Sequence, residues 1–370
     1  LSWDAPYLDV LLPVGISFYT FQTMSYTIDV YRGTLKPAPS LLKFAVFVTY
    51  FPQLVAGPIV RASEFLPQLE HRPRLDRDRA SRGLFLIATG IVKKIAIADY
   101  LSINLVDRVF QNPAGYTAPE VIVALYGFTM QIYCDFSGYT DVARGSAMLM
   151  GIDLPENFDR PYLAQNPADF WRRWHMTLSR WLRDYLYFPL GGSRVSPLRA
   201  YFNLGLTMFL IGIWHGASWT FVVYALLQAT AMVGHRFVSR TWGARKDDPF
   251  TEAMRSTKRT LFVALKIFGT LQFVVFSRIL FRASSWDNAV EVTSRLWSGQ
   301  SSMAQVSAGV WFVLVLSFAA HFTPKDAFAR IEGAFLRLPA AAQGVALSAV
   351  GAGLSLVASS EVVPYIYYQF

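Results

Sequence analysis

Apolar residues occur along this chain in long blocks, and short basic segments separate the blocks. Blocks that approach or exceed the roughly 20 residues needed to cross a bilayer lie at residues 8–26, 41–60, 83–106, 118–134, 201–233, 260–281, 306–321 and 340–359. Backbone hydrogen bonds must be satisfied inside lipid, and a helix satisfies them within one segment. The pattern predicts an all-α, polytopic membrane protein. Because all the blocks have the same character, we expect a single membrane domain over residues 1–370.

The distribution of positive charge predicts which segments face the cytoplasm. The densest basic segments are residues 61–82 and 239–259, and cytoplasmic loops of membrane proteins are enriched in Lys and Arg. In contrast, residues 107–117 contain only Arg108 as a positive charge. We therefore place the two basic loops inside and the segment 107–117 outside.

The block at residues 201–233 is too long for one untilted span, and the polar sequence His215-Gly216-Ala217-Ser218 interrupts it. Basic residues precede and follow the block, so both of its ends are predicted to face the cytoplasm. This combination predicts a hairpin or a broken pair of helices. His215 would then lie deep in the membrane.

Residues 171–185 fit one amphipathic helix when they are plotted at 100° per residue. One side collects Trp171, Trp174, His175, Leu178, Trp181, Leu182 and Tyr185, and the opposite side collects Arg172, Arg173, Arg180 and Arg183. Such a separation is typical of a helix at the membrane interface. We predict that the arginine side faces headgroups or cytoplasm and that the Trp/His side faces the protein interior.

Composition supports lipid as the surroundings of much of the chain. Only 16% of the residues are charged, compared with roughly 25% in an average soluble domain. A net charge of +9 would also suit a nucleic-acid partner, but the charges lie between apolar blocks, so we expect no such partner. The lone Cys134 excludes an intramolecular disulfide. The chain begins at Leu1, and its opening residues do not have the pattern of a signal peptide.

Two histidines are the strongest candidates for chemistry, because ionisable groups at membrane depth are costly and are often functional. His215 is flanked by Gly212 and Gly216, which permit irregular backbone, and imidazole suits general-base catalysis near neutral pH. The alternative for His215 is a buried imidazole that only hydrogen-bonds between helices. For His175, a packing role and a catalytic role are equally open.

Charged residues inside the apolar blocks are further candidates. Lys93 and Lys94 can bind phosphates of a donor, or they can simply pair with Asp99 or another carboxylate. Asp141 can pair with Arg144 at i,i+3. Asp135 lacks an obvious local partner, so it is a candidate for substrate contact, together with Trp174 and Trp214. No histidine pair has the spacing of a zinc helix, and we expect neither a metal nor a bound cofactor.

Several of these stretches together carry a family resemblance. They are residues 12–22, 51–61, 90–99, 131–141, Asn157-Phe158 with Pro161-Tyr162, residues 169–179, and Trp214-His215-Gly216. The chain resembles the membrane-bound O-acyltransferase family, in the bacterial branch that modifies polysaccharides such as alginate. The most specific element is Phe170-Trp171-Arg172-Arg173-Trp174-His175 combined with Trp214-His215-Gly216 downstream. The aromatic tail at residues 363–370 also resembles that branch.

The resemblance implies a helical bundle with re-entrant or broken helices, in the bacterial inner membrane. It implies that His215 is the catalytic residue and that His175 is the second signature residue. The donor would be acetyl-CoA or another acyl thioester, and the acceptor a polysaccharide or a periplasmic acetyltransferase partner. Members of the family normally have further helices before residue 8, so we expect that the N-terminal part is missing.

Two other functions remain open from the sequence. One keeps the enzyme class and changes the substrates, to D-alanyl transfer onto teichoic acid or to acylation of a lipid. The other is a transporter or channel in which buried histidines and carboxylates relay protons or bind an ion. Transporters often show paired inverted repeats, and we find one strong helix break, at His215.

Overall fold

The computed structural model describes residues 15–71, 75–241, 257–358 and 363–365, and all regular structure in these ranges is helical. The start of the predicted block 8–26, Arg72 and Arg74 of the first basic loop, most of the loop 239–259 and the end of the tail lie outside them. The α-helices are α1 Ile16–Tyr31, α2 Leu41–Thr49, α3 Phe51–Leu54, α4 Ala62–Phe65, α5 Arg77–Val92, α6 Asp107–Gln111, α7 Ala118–Leu149, α8 Pro167–Arg173, α9 Met176–Leu182, α10 Pro197–Trp214, α11 Trp219–Thr241, α12 Thr257–Arg282, α13 Trp286–Arg295, α14 Ala308–Phe322, α15 Lys325–Arg337 and α16 Ala340–Val357. The predicted all-α class is confirmed.

Among the described residues, three helices are long and apolar enough to cross a membrane: α11, α12 from Thr260 onward, and α16. A fourth span is possible by composition if α14 and α15, which bend by 96° between Phe322 and Lys325, form one broken crossing. Large apolar side chains cover the outside of these helices, including Leu261, Phe268 and Phe312. Exposed apolar surface of this extent suits contact with lipid.

The predicted span at residues 41–60 is wrong. α2 ends at Thr49, Tyr50 is extended, and the short α3 follows. Pro52 explains the break, because a proline inside a helix has no N–H to donate and its ring clashes with the preceding turn. The buried Gln53 side chain donates to the carbonyl of Phe47 at 3.1 Å, which satisfies one of the groups that the break leaves open.

Glycines allow α5 and its continuation to pack closely against α7. From residue 77 to residue 111 the chain is helical throughout, with π-helical turns at Lys93–Asp99 and Ser102–Val106. This run packs antiparallel against α7. A Cβ on Gly90 would lie 2.5 Å from the carbonyl oxygen of Gly138, and one on Gly145 would lie 2.4 Å from that of Gly83. The two backbones touch, as small residues allow between membrane helices.

The predicted hairpin at residues 201–233 is confirmed. α10 and α11 are antiparallel, since Gly205 faces Val233 near one end and Gly212 faces Ala225 near the other. A Cβ on Gly212 would lie 2.3 Å from that of Ala225, so these helices also need a glycine to approach this closely. The turn between them contains His215.

Candidate active site

The single helix predicted for residues 171–185 is wrong, although the predicted separation of its two sides is confirmed. The chain forms α8, leaves the helical conformation at Trp174, and restarts at α9. His175 is left-handed, with φ 45°, a conformation that residues other than glycine rarely adopt. Trp174 and His175 are nevertheless buried, and Arg172 is exposed.

Asn157 holds the His175 turn in place. Its backbone carbonyl accepts from the Met176 N–H at 2.9 Å. Its Oδ1 accepts from the N–H of Thr177 at 3.1 Å and from the Thr177 hydroxyl at 2.9 Å. The same oxygen lies 3.2 Å from Nδ1 of His175. A proton on Nδ1 completes this arrangement, and it makes Nε2 the acceptor nitrogen of the ring.

His215 occupies the turn of the α10–α11 hairpin, directly after the last residue of α10. Gly216 is required at the next position, because a Cβ there would lie 2.4 Å from the ring of Phe221. Aromatic rings enclose the imidazole: its centroid is 4.9 Å from Trp214 and 5.1 Å from Phe281. His215 is therefore buried in an aromatic environment at the break between α10 and α11.

The structure brings the two candidate histidines together around Trp214. The indole lies 6.4 Å from the His175 ring and 4.9 Å from the His215 ring. Phe18 of α1 closes the other side, 6.3 Å from His175 and 6.1 Å from Trp214. Two separate helix breaks therefore meet at one point.

Sequence reasoning missed Arg278 of α12, which belongs to the same cluster. Its guanidinium stacks 4.8 Å from the Trp174 ring and 5.5 Å from the Phe281 ring. Phe281 in turn packs against His215. A signal was present in the sequence, since Arg278 interrupts the apolar block 260–281 and charges at membrane depth are often functional.

The interpretation of Lys93 and Lys94 as pairing partners of carboxylates is confirmed. Lys93 Nζ lies 2.6 Å from Asp141, and Lys94 Nζ lies 2.7 Å from Asp99 and 2.8 Å from Asp135. The predicted pair of Asp141 with Arg144 is wrong, because the π-helical turn Lys93–Asp99 packs close enough to α7 for Lys93 to pair with Asp141. Arg144 instead approaches Glu156 at 3.4 Å.

A cavity of about 480 Å³ opens beside the two histidine turns. Its floor is apolar and includes Met176, next to His175, and Ile211, one turn before His215. Four arginines line it, Arg172, Arg180, Arg183 and Arg236, and its lining among the described residues contains no carboxylate. The cavity can therefore take a long molecule with an apolar arm and an anionic end.

Over the described part of the chain, no group of three or more His, Cys, Asp or Glu residues is placed to hold a metal ion. The groups that surround the meeting point of the two turns are the imidazoles of His175 and His215, the guanidinium of Arg278 and the aromatic walls. Residues 34–271 match the family model for MBOAT, the membrane-bound O-acyltransferase family.

The chain belongs to the membrane-bound O-acyltransferase family. It is 39% identical over 304 residues to the Pseudomonas aeruginosa protein named Probable alginate O-acetylase AlgI. The matched region covers 82% of this chain and 53% of that protein. It is 36% identical over 320 residues to the peptidoglycan O-acetyltransferase of Helicobacter pylori, covering 79% of this chain and 58% of that protein. The chain thus spans little more than half the length of these relatives.

A more distant family member is the teichoic acid D-alanyltransferase of Bacillus subtilis. It is 30% identical over 281 residues, with 72% of this chain and 68% of that protein covered. Membership of the membrane-bound O-acyltransferase family and the apolar helices described above identify this chain as a membrane protein.

Proposed function

We propose that the protein transfers an acetyl group from a cytoplasmic thioester donor to a hydroxyl of a polysaccharide, or to a periplasmic partner that relays it. The observation that carries the proposal is the meeting of the His175 and His215 turns at Trp214, in a chain of an O-acyltransferase family. Acetyl is favoured because two of the relatives with higher identity are named for O-acetyl transfer.

In this mechanism His215 is the general base for the acceptor hydroxyl. A hydroxyl is a weak nucleophile while it keeps its proton, and a positioned base contributes about 10²- to 10⁴-fold. The aromatic rings around His215 exclude water, which protects the thioester from hydrolysis. His175 assists from the other side of Trp214, where the Asn157 contact fixes the orientation of its ring.

The function is tested with the full-length protein in membranes. A radiolabelled acetyl thioester is supplied on the cytoplasmic side, and label is measured in added polysaccharide. A D-alanyl carrier thioester and a lipid acceptor are run in parallel, because the resemblance leaves those substrates open. Labelling of lipid alone, or from D-alanyl alone, would contradict the proposal.

We place the entry of the donor in the arginine-lined cavity rather than at Lys93 and Lys94. Both lysines are already neutralised by carboxylates. In the cavity lining, Arg172 and Arg183 approach Asp169 and Asp184, whereas Arg180 and Arg236 make no salt bridge with a described residue. The thioester carriers of the cell, coenzyme A and phosphopantetheine, combine phosphate with a long neutral arm. Arginine is the side chain best suited to hold phosphate.

Arg180→Glu is expected to raise the KM for the thioester donor about tenfold and to leave kcat within about twofold, because a lost charge-assisted contact weakens ground-state binding. The measurement is steady-state acetyl transfer with the donor varied. The matched control is Arg199→Glu, since Arg199 stacks on Phe202 outside the cavity. An equal rise of KM in both variants would show that the effect comes from general surface charge. It would contradict entry of the donor through the arginine-lined cavity.

The protein is further proposed to be a multi-pass inner-membrane protein with residues 61–82 and 239–259 in the cytoplasm. Cys134 is buried, so an impermeant thiol reagent reports engineered cysteines alone. Applied from the periplasm, it is expected to label Ala114→Cys but neither Asp78→Cys nor Ser239→Cys, all three positions being exposed. Periplasmic labelling at residue 78 or residue 239 would overturn this topology.

A further inference from the structure

Arg278 is a fully buried positive charge on a membrane-crossing helix. Only 2% of the residue is exposed, and it lies in the apolar part of α12. Within the part of the chain that the structure describes, its Nε and Nη2 have no hydrogen-bond partner and the guanidinium makes no salt bridge. A buried arginine in this position is costly unless an anion or an acceptor meets it.

The arginine lies between the two histidine turns. Its guanidinium covers the ring of Trp174, which precedes His175, and it also contacts the ring of Phe281, which packs on His215. It is close enough to His215 to interact with it electrostatically. The aromatic rings and the Tyr162 hydroxyl, which also contacts the guanidinium, replace only part of the hydration that a buried guanidinium loses. The remaining donors therefore point to an anionic oxygen that is present only when substrate is bound.

We propose that Arg278 stabilises the oxyanion that forms on the acyl carbonyl during transfer, an inference that rests on the proposed function. The acceptor oxygen attacks the thioester carbon while His215 takes its proton, and the carbonyl π electrons move onto the carbonyl oxygen. Nε–H and Nη2–H of Arg278 donate to that oxygen. When the intermediate collapses, the C–S bond breaks, the electrons leave with sulfur, and the proton passes from His215 to the thiolate.

This position suits an oxyanion better than a donor phosphate. Phosphate is charged before the reaction and can remain in the open arginine-lined cavity, whereas Arg278 is buried beside the proposed base. Donors that are fixed in a dry site stabilise charge that develops in the transition state, and removal of one such donor typically costs about 10²- to 10³-fold in kcat.

The test uses the full-length protein with Arg278→Lys and Arg278→Gln, and with Arg282→Gln as the control. Arg282 lies one turn along the same helix and pairs with Asp107, away from the histidines. Both Arg278 variants are expected to lose about 10²- to 10³-fold in kcat. Binding of a thioether analogue of the donor, which has no carbonyl oxygen, is expected to stay within about threefold, and Arg282→Gln is expected to keep its kcat per folded protein.

A second readout compares the normal thioester with a dithioester, in which sulfur replaces the carbonyl oxygen. The rate ratio of oxygen to sulfur substrate is expected to be large in the unmodified protein and to shrink toward one in Arg278→Lys, which a purely structural role would not cause. Analogue binding that falls in parallel with kcat would make Arg278 a ground-state anion site and overturn the proposal. Loss of folded protein in both variants, or unchanged kcat, would overturn it too. Absence of transfer by the unmodified protein would instead contradict the proposed function, and this inference with it.

Discussion

The His215→Ala variant of the full-length protein is expected to lose acetyl transfer by about 10²- to 10⁴-fold while it still folds and inserts into the membrane. The imidazole lies at the turn of the α10–α11 hairpin, so its removal does not interrupt either helix. The close approach of Gly212 to Ala225, which holds the hairpin together, is also unchanged. The measurement is label transferred to polysaccharide at matched levels of membrane protein.

Two further histidine variants make this result specific. His71→Ala serves as the control, because His71 is exposed in the first basic loop. This variant is expected to leave transfer unchanged. His175→Ala is expected to cost less activity than His215→Ala, and to lower stability as well, since it removes a contact of Asn157 inside the buried turn. Near-normal transfer by His215→Ala would refute the assignment of the base.

Lys94→Met is expected to destabilise the protein by about 3–5 kcal/mol, which is typical when one partner of a buried ion pair is removed. Lys94 is buried between Asp99 and Asp135 and also donates to the carbonyl of Val363 at 3.0 Å. Without the ammonium group, the two carboxylates remain close together in the core and lose the charge that offsets their repulsion. The measurement is thermal unfolding of the detergent-solubilised full-length protein.

The control for this result is Lys325→Met, which breaks a pair with Asp159 whose lysine side chain is 59% exposed. Exposed pairs contribute about 0–1 kcal/mol, so little change is expected there. Adding Asp135→Asn to Lys94→Met is expected to recover part of the lost stability, because one uncompensated charge disappears. A Lys94→Met protein as stable as Lys325→Met would show that the cluster does not hold the π-helical turn Lys93–Asp99 against α7.

Two of the candidate crossing helices were predictable with nearly their exact bounds. The blocks at 260–281 and 340–359 coincide closely with α12 and α16, because lipid exposure requires the same property that the pattern measures. The block 41–60 failed, since its mean apolar character conceals the effect of Pro52 on the backbone. α13 and α15 were not predicted, because both are short helices that carry charges.

The site was predicted only as far as residue type reveals it. His215 and His175 were found because imidazole is rare in apolar surroundings. Arg278 was overlooked because the apolar residues around it in the block 260–281 dominate the pattern. No periodic pattern of apolar residues singles out Asn157. The helix predicted at 171–185 failed for a geometric reason. α8 and α9 both bury aromatic and aliphatic side chains, so a plot at 100° per residue shows one continuous apolar side. The plot therefore does not reveal the left-handed His175 between the two helices. The partners of Asp135 and Asp141 depend on contact between helices, which spacing along one helix does not reveal.

The glycine contacts between α5 and α7 also limit how this protein can change over evolution. At Gly83/Gly145 and Gly90/Gly138 the atom that blocks a larger side chain is a backbone oxygen of the partner helix. Every amino acid carries that oxygen, so no substitution on one helix can make room for a substitution on the other. We therefore expect positions of this kind to stay fixed rather than to co-vary. This close contact between α5 and α7 is therefore one that we do not expect correlated substitutions among relatives to reveal.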